Sequence, residues 1–168
     1  QYLIDEDFEL LSVGPASAAA ISTGLSTNLK DQVSVDRSSS GNLYLTLQGG
    51  ATPDTATPLL YTTKTLPAER VVLDFDIKLS ELTYVFETYI RINSSLSVSL
   101  LHFAGGNLKI LGQQVNNISL SGDDFVNCRF VITPGGEYIA FLDGQWIVTK
   151  PFTQNVVGAD IRFQCNRD

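Results

Sequence analysis

Carboxylates at alternate positions are the first residues of this chain that could do chemistry. Asp5, Asp7 and Glu9 form one such series, and Asp74 and Asp76 form another. Every second residue of a β-strand points to the same face, so each series would present its carboxylates together. Two carboxyl groups at a suitable separation hydrolyse glycosidic bonds. The first series lies on a predicted opening strand and the second lacks a third carboxylate, so we interpret both as solvated acidic faces.

Nucleophilic catalysis by a serine triad has little support in the sequence. His102 is the only histidine, and the chain contains no Gly-x-Ser-x-Gly motif. His102 falls near the end of a predicted strand, where a local hydrogen bond accounts for it without catalysis. We therefore expect that the protein is not an enzyme.

Sugar binding has more suitable residues. An exposed aromatic ring stacks on the apolar face of a sugar, while amides and carboxylates bind its hydroxyl groups. Trp146 is the only tryptophan, and it follows a predicted turn at Asp143-Gly144, which places it near a loop tip. The candidate ligand-binding residues are Trp146, Gln145, Asp143, Tyr138, Asn116 and Asn117, with Tyr84 and Tyr89 as further aromatic rings. The same pattern also fits a Trp146 that fills the core beneath a sheet.

Short strands must position these residues. Residues 125–148 are typical of two consecutive hairpins: Pro134-Gly135-Gly136 interrupts the first, and Asp143-Gly144 is a two-residue type I′ turn signal. Residues 71–79, VVLDFDIKL, alternate apolar and polar side chains. About a dozen such runs, with no convincing long helix, predict an all-β protein, and we expect one domain over residues 1–168.

Composition and charge exclude several classes of protein. The chain has 168 residues, 43% of them hydrophobic and 17% charged, which is typical of a globular domain with a real core. Its net charge of −7 disfavours nucleic acid and anionic membranes as partners. No apolar run approaches the length of a membrane span. The sequence has no methionine and no signal-peptide pattern, so we interpret it as a mature or excised piece.

Two cysteines, Cys128 and Cys165, lie in predicted strands with apolar side chains at alternate positions on either side, so both should point inward. One interpretation is a pair of small buried thiols. The other is a disulfide that ties the last strand to the hairpin at residues 125–148. Two isolated cysteines make a zinc site improbable.

Three segments in order carry a resemblance to a known family. They are DEDFE at residues 5–9, VLDFDIKL at 72–79, and RFVITPGGEYIAFLDGQWI at 129–147 followed by GADIRF at 158–163. This arrangement resembles the concanavalin A-like lectin/glucanase superfamily, above all its laminin G-like members. The resemblance implies a two-sheet antiparallel jelly-roll sandwich that contacts glycans with its concave sheet or rim loops. The glucanases of this superfamily carry Glu-x-Asp-x-Glu on one strand, and this chain has no such motif.

Calcium is the one cofactor that the resemblance suggests. Lectin-like sandwiches often bind this cation, which takes about six to eight oxygen ligands. The turn at residues 121–124 is one possible site. The other brings Asp7 or Glu9 of the first strand near Asp160 of the last strand, because those strands commonly pair in this fold. Ordinary turn and edge carboxylates are the alternative interpretation.

These observations lead to one leading hypothesis and two rivals. The leading hypothesis is a non-catalytic extracellular domain that recognises a glycan or polysaccharide. The first rival is a structural or host-attachment module of a phage tail, virion or surface adhesin, which would contact other copies or other chains of a larger assembly. The second rival is a glycoside hydrolase or lyase. We expect neither nucleic acid as a partner nor insertion into a membrane.

Overall fold

The computed structural model describes residues 14–15, 24–27, 33–37, 39–41, 43–47, 59–79, 84–120 and 124–167. The predicted opening strand at residues 3–10, and with it Asp5, Asp7 and Glu9, lies outside these ranges. Most of the turn at residues 121–124 lies outside them as well.

Strands make up the regular structure of the described ranges, which contain no helix. They are β1 (Gly14–Pro15), β2 (Leu25–Thr27), β3 (Val33–Arg37), β4 (Leu43–Leu47), β5 (Leu59–Thr62), β6 (Val71–Ile77), β7 (Tyr84–Arg91), β8 (Ser97–Ala104), β9 (Asn107–Ile110), β10 (Gln113–Val115), β11 (Val126–Ile132), β12 (Glu137–Leu142), β13 (Gln145–Pro151) and β14 (Asp160–Arg167). The described ranges contain no helix that is long and apolar enough to span a membrane.

Two large antiparallel sheets form the layers of a sandwich. One has seven strands in the order β10-β9-β8-β7-β14-β5-β2, and the other has four in the order β13-β12-β11-β6. A small sheet, β1-β3-β4, completes the described strands. Side chains of both layers meet in one core: the Phe75 ring of β6 contacts the Phe163 ring of β14 edge-on, with centroids 5.1 Å apart. The predicted two-sheet antiparallel jelly-roll sandwich is confirmed.

Alternation explains why these segments are strands with one buried face. Along β6, Leu73 and Phe75 pack against the core while Asp74 and Asp76 are exposed, as the sequence predicts. Along β11, Cys128, Phe130 and Ile132 are fully buried. Cys165 of the opposite sheet is also buried, and neither cysteine forms a disulfide, which leaves the interpretation as two buried thiols. Burial, together with nearby carboxylates, raises the pKa of the Cys128 thiol to about 12.

The predicted hairpin at Asp143-Gly144 is a two-residue turn in which both residues have positive φ, 46° and 75°. Two hydrogen bonds, one donated by each side, join the turn to β11. Asp143 N donates to the Asn127 carbonyl oxygen at 2.9 Å, and Asn127 N donates to Asp143 Oδ1 at 2.8 Å. These bonds hold the turn, and the residues that follow it, in a fixed position.

One strand pairing has no local signal in the sequence. Gln113–Val115 pairs with β9 through a two-residue turn at Leu111-Gly112, where φ is 48° and 78°. A leucine rarely takes positive φ, so residue type does not indicate this turn.

Candidate functional site

The outer face of the four-stranded sheet carries Trp146. Strand register places one row across this face: Asp74 of β6 opposite Arg129 of β11, Arg129 opposite Phe141 of β12, and Phe141 opposite Trp146 of β13. A β-bulge between Ala140 and Phe141 lies beside the tryptophan. We call the outward side of β6, β11, β12 and β13 the Trp146 face.

The Trp146 ring is an exposed platform and not a core plug. Its side chain is 62% exposed, the most exposed large hydrophobic side chain in the described part of the protein. Its Nε1 donates a hydrogen bond to Thr149 Oγ1 at 3.0 Å, which restrains the ring relative to its strand. Gln145 and Asp143, the neighbouring candidates, are also exposed. All three residues are accessible at the turn, but Gln145 pairs with the buried Leu142 and therefore points to the opposite side of the sheet from Trp146.

Polar groups of β11 and β6, on the far side of Phe141 from the ring, form a connected network. Arg129 Nε donates to Asp74 Oδ2 at 2.7 Å. Asn127 Nδ2 donates to Asp74 Oδ1 at 2.7 Å and to Asp76 Oδ1 at 2.9 Å. The Arg129 side chain is still 53% exposed. Because Asn127 Nδ2 donates to both Asp74 and Asp76, the two carboxylates belong to one hydrogen-bonded surface network. This agrees with the interpretation as a solvated acidic face.

Tyr138 cannot contact a sugar, so this predicted site residue is wrong. It is 1% exposed, on the inner side of β12, with its ring 4.2 Å from that of Phe152, centroid to centroid. Its hydroxyl has no hydrogen-bond partner among the described residues, and burial raises its pKa above the usual range. The prediction used residue type alone and missed that Tyr138 shares a face with Ala140 and Leu142, which are buried.

Asn116 and Asn117 are exposed, but the structure does not bring them to Trp146. They follow β10, the edge strand of the seven-stranded sheet. There they line an open cleft of about 420 Å³ together with Asn107, Gln114 and Ser119. This amide-rich cleft has donors and acceptors suited to hydroxyl groups, and it lies in the opposite layer from the Trp146 face.

The outer face of the seven-stranded sheet is polar where β7, β8 and β14 lie side by side. Register places Glu87 of β7 between His102 of β8 and Gln164 of β14. Tyr89, although on this outward side, is only 8% exposed, and its hydroxyl donates to Gln164 Oε1 at 3.0 Å. Tyr89 is therefore a poor stacking platform, while the side chain of Tyr84 is not described.

Two carboxylates on this outward side are too far apart to act as a hydrolytic pair. Glu87 is opposite Gln164, and Asp160 lies four residues before Gln164 on the same strand, so the two are separated by about 13 Å along the strand direction. Glycosidases place their carboxyl groups about 5–10 Å apart. Asp160 accepts from Arg162 at 3.0 Å, and Glu87 Oε1 lies 4.0 Å from His102 Nδ1.

No group of three or more metal-ligating side chains occurs within the described ranges. Asp160, the described member of the predicted calcium site, is paired with Arg162. Its predicted partners Asp7 and Glu9 lie outside those ranges, so the calcium site stays a prediction.

The sequence matches no protein-family model and no curated protein. Its fold is similar to that of several solved structures. β-Agarase B from Zobellia galactanivorans superposes with a TM-score of 0.67 and 7% identity, over 97% of this chain and 78% of that one. A sialidase gives 0.66 and 15% identity over 96% of this chain and 14% of its own length. An uncharacterised protein from Mycobacterium paratuberculosis gives 0.63 and 11%, over 99% and 88%.

These likenesses show the fold: the chain forms a jelly-roll sandwich similar to that of the agarases. Membership of the concanavalin A-like superfamily, and of its laminin G-like branch, stays a prediction. The described site residues that sequence reasoning missed are Asn127 and Arg129, which lie on the Trp146 face two strands from the ring. Arg129 alternates with buried residues, so its outward direction was readable, but its partner Asp74 depends on a pairing across more than fifty residues.

Proposed function

We propose that this protein is a non-catalytic, extracellular, single-domain module that binds glycans with its Trp146 face. The observation that carries the proposal is the exposed ring of Trp146, restrained by its bond to Thr149. An indole that is fixed before binding loses little conformational entropy when a sugar stacks on it. A large aromatic ring left in water without a partner is otherwise unfavourable, because it gives up the energy of burial.

Other groups of the Trp146 face suit sugar hydroxyls. Arg129 and Asn127 of β11 supply donors and Asp74 of β6 supplies acceptors, two to three strands or about 10–14 Å from the ring, and Asp143 lies at the adjoining turn. A flat ring that shares an open surface with both kinds of polar group is the usual composition of a site for an amphipathic ligand. Binding by such an open surface should be weak for a single site and stronger when copies are linked.

A non-catalytic role is supported by the carboxylates of the described part of the chain. Glu87 and Asp160 are about 13 Å apart along the strands. Asp74 and Asp76 are held by Asn127. The first separation exceeds the roughly 5–10 Å between glycosidase carboxyl groups, and in the second pair Asp74 is already ion-paired with Arg129.

Agaro-oligosaccharides are the first probes to use, because a similar fold, an inactivated mutant of β-agarase B, was solved in complex with agaro-octaose. Trp146 is the only tryptophan in the chain, so its fluorescence reports on the platform alone. We expect titration with agaro-oligosaccharides, and in parallel with an array of other neutral glycans, to change that fluorescence. Trp146→Ala should abolish binding and Trp146→Tyr should retain part of it, since a smaller ring still stacks.

Val72→Ala is the matched control, because Val72 is the other strongly exposed large hydrophobic side chain of the Trp146 face. It removes apolar surface from the same sheet and should leave affinity unchanged. Repeating the titration with a calcium chelator tests the cofactor prediction. Glycan binding that survives Trp146→Ala, or no binding to any neutral glycan, would refute the proposed site. Release of reducing ends from a polysaccharide would refute the non-catalytic role.

A structural or attachment module is the second candidate, and the same exposed side chains favour it. Trp146 and Val72 present apolar surface on one sheet, as protein contacts do. Light scattering over a range of concentrations separates the two functions. Self-association that Trp146→Ala removes would favour a contact between copies, whereas a monomer that binds sugar favours the glycan module.

A further inference from the structure

A second cleft lies on the seven-stranded sheet, where β7 ends and β14 begins. Its volume is about 450 Å³, and its lining includes Thr65, Arg91, Asn93, Ser94, Asp160 and Arg162. We call it the arginine cleft. Ligand sites commonly have volumes of about 300–1,000 Å³, so it is large enough for a sugar residue with its substituents.

The two guanidinium groups of the arginine cleft are held differently. Arg162 is committed to a carboxylate: its Nε and Nη2 donate to Asp160 at 3.1 Å and 3.0 Å. Arg91, the backbone pairing partner of Asp160, has no ion pair within the described ranges. Its Nη2 donates to the Ser94 carbonyl oxygen at 2.6 Å, which orients the group without neutralising it.

The free hydrogen-bonding capacity of the cleft is mainly donor capacity. Arg91 Nε and Nη1 make no hydrogen bond within the described part of the chain. The Asn93 carbonyl Oδ1 is already occupied by the backbone N–H groups of Ser95 and Leu96, so the Nδ2 donors are what it can offer a ligand. The Thr65 and Ser94 hydroxyls can donate as well. Donors around a guanidinium that has no ion pair among the described residues favour a ligand that accepts hydrogen bonds and is negatively charged.

Charge makes this cleft unusual for the molecule that contains it. The chain has a net charge of −7, yet the cleft has two guanidinium groups and one carboxylate. A local positive site in an acidic protein attracts anions only at short range, because salt largely screens the interactions of exposed charges beyond about 8–10 Å. The cleft therefore selects a ligand whose negative group docks directly on Arg91.

We propose that the arginine cleft binds an acidic sugar, one whose ring carries a carboxylate or a sulfate group, with the oxyanion on Arg91. The planar guanidinium forms two parallel hydrogen bonds to either group, and Asn93, Ser94 and Thr65 are placed to bind ring hydroxyls. The site is separate from Trp146 and stands on its own residues, whichever ligand the Trp146 face takes.

Calorimetric titration with three probes tests the site: an oligogalacturonate for the carboxylate, a sulfated galacto-oligosaccharide for the sulfate, and inorganic sulfate alone. We expect at least one acidic oligosaccharide to bind, more tightly than inorganic sulfate and more weakly as salt rises. Arg91→Gln should weaken that binding about tenfold, as expected for a lost charge-assisted interaction. Arg91→Lys keeps the charge without the paired donors, so its affinity should lie between those of the parent protein and Arg91→Gln.

Arg37→Gln is the matched control, because it removes an exposed guanidinium from β3 of the small sheet, outside both candidate surfaces. It should change acidic-sugar affinity by less than about twofold. Equal losses in Arg91→Gln and Arg37→Gln, no binding of either acidic oligosaccharide, or inorganic sulfate bound as tightly as the sugars would overturn the proposal. Trp146→Ala separates it from the glycan-module proposal: acidic-sugar binding must survive that change, whether or not neutral glycans bind.

Discussion

Replacing Tyr138 with phenylalanine should stabilise the protein. The Tyr138 ring is 1% exposed, and its hydroxyl oxygen is buried without a hydrogen-bond partner among the described residues. Folding removes that hydroxyl from water without replacing the lost hydrogen bonds, at a cost of about 1–3 kcal/mol. Tyr138→Phe keeps the ring and its contact with Phe152 and removes only the buried hydroxyl that has no hydrogen-bond partner. The free energy of unfolding should therefore rise by about 1–3 kcal/mol.

Urea unfolding followed by circular dichroism measures this change directly, and thermal melting checks it. Each 1 kcal/mol corresponds to about 2–4 °C in a domain of this size. Tyr89→Phe is the matched control, because the Tyr89 hydroxyl donates to Gln164 Oε1 at 3.0 Å. The same chemical change should there lower stability, by about 0.5–1.5 kcal/mol, since a satisfied hydrogen bond is lost.

The opposite signs make the test strict. A Tyr138→Phe variant less stable than the parent would mean that the hydroxyl has a partner and that the burial argument is wrong. Loss of glycan affinity in Tyr138→Phe, with the fold intact, would instead restore Tyr138 as a ligand-binding residue.

Two further predictions concern the same half of the sandwich. The Cys128 thiol has its pKa raised from 9.0 to about 12 by burial, so the folded state keeps the proton and the unfolded state loses it first. The stability that Cys128 contributes is full below pH 9 and falls as pH rises toward 12, by up to about 1.4 kcal/mol per pH unit. In urea unfolding, the difference in free energy of unfolding between the parent and Cys128→Ala should therefore narrow above pH 9. A constant difference would contradict the burial argument. Gly144→Ala should lower the free energy of unfolding by about 1–2 kcal/mol, because Gly144 has φ 75° with open space around it and only backbone strain opposes the methyl group. Gly144→Asn should lower it by less, since asparagine tolerates positive φ better. Equal losses in the two variants, measured by urea unfolding, would indicate a steric clash instead.

The exposure of Trp146 could not be predicted because β12 is apolar on both faces. Tyr138, Ala140 and Leu142 alternate with Ile139 and Phe141, so composition does not reveal which set points inward. The two-residue turn does fix Phe141 and Trp146 on the same face. What decides the direction is the register of the preceding hairpin, where Ile132 pairs with Tyr138. A loop of Thr, Pro and two glycines allows several registers, so only the structure settles it.

Where local pattern is unambiguous, the sequence prediction held. The alternation in β6 and the type I′ signal at Asp143-Gly144 both need only neighbouring residues, and both are confirmed. The arginine cleft needs β7 beside β14, which brings Arg91 next to Asp160 across 69 positions of the chain. No local signal encodes such a pairing, because strand partners are chosen by burial of whole faces and by loop closure.

The two candidate surfaces have consequences together that neither has alone. The Trp146 face belongs to the four-stranded sheet and the arginine cleft to the seven-stranded one, and the core of the sandwich separates the layers. Stacked sheets are about 10 Å apart, with side chains adding further distance on each side, so one extended glycan strand cannot contact both without bending around an edge. Sites arranged in this way favour two different strands, or a neutral and an acidic region of a mixed polymer. Linking of that kind converts two weak contacts into one strong attachment, and it needs no carboxylate pair and no cleavage.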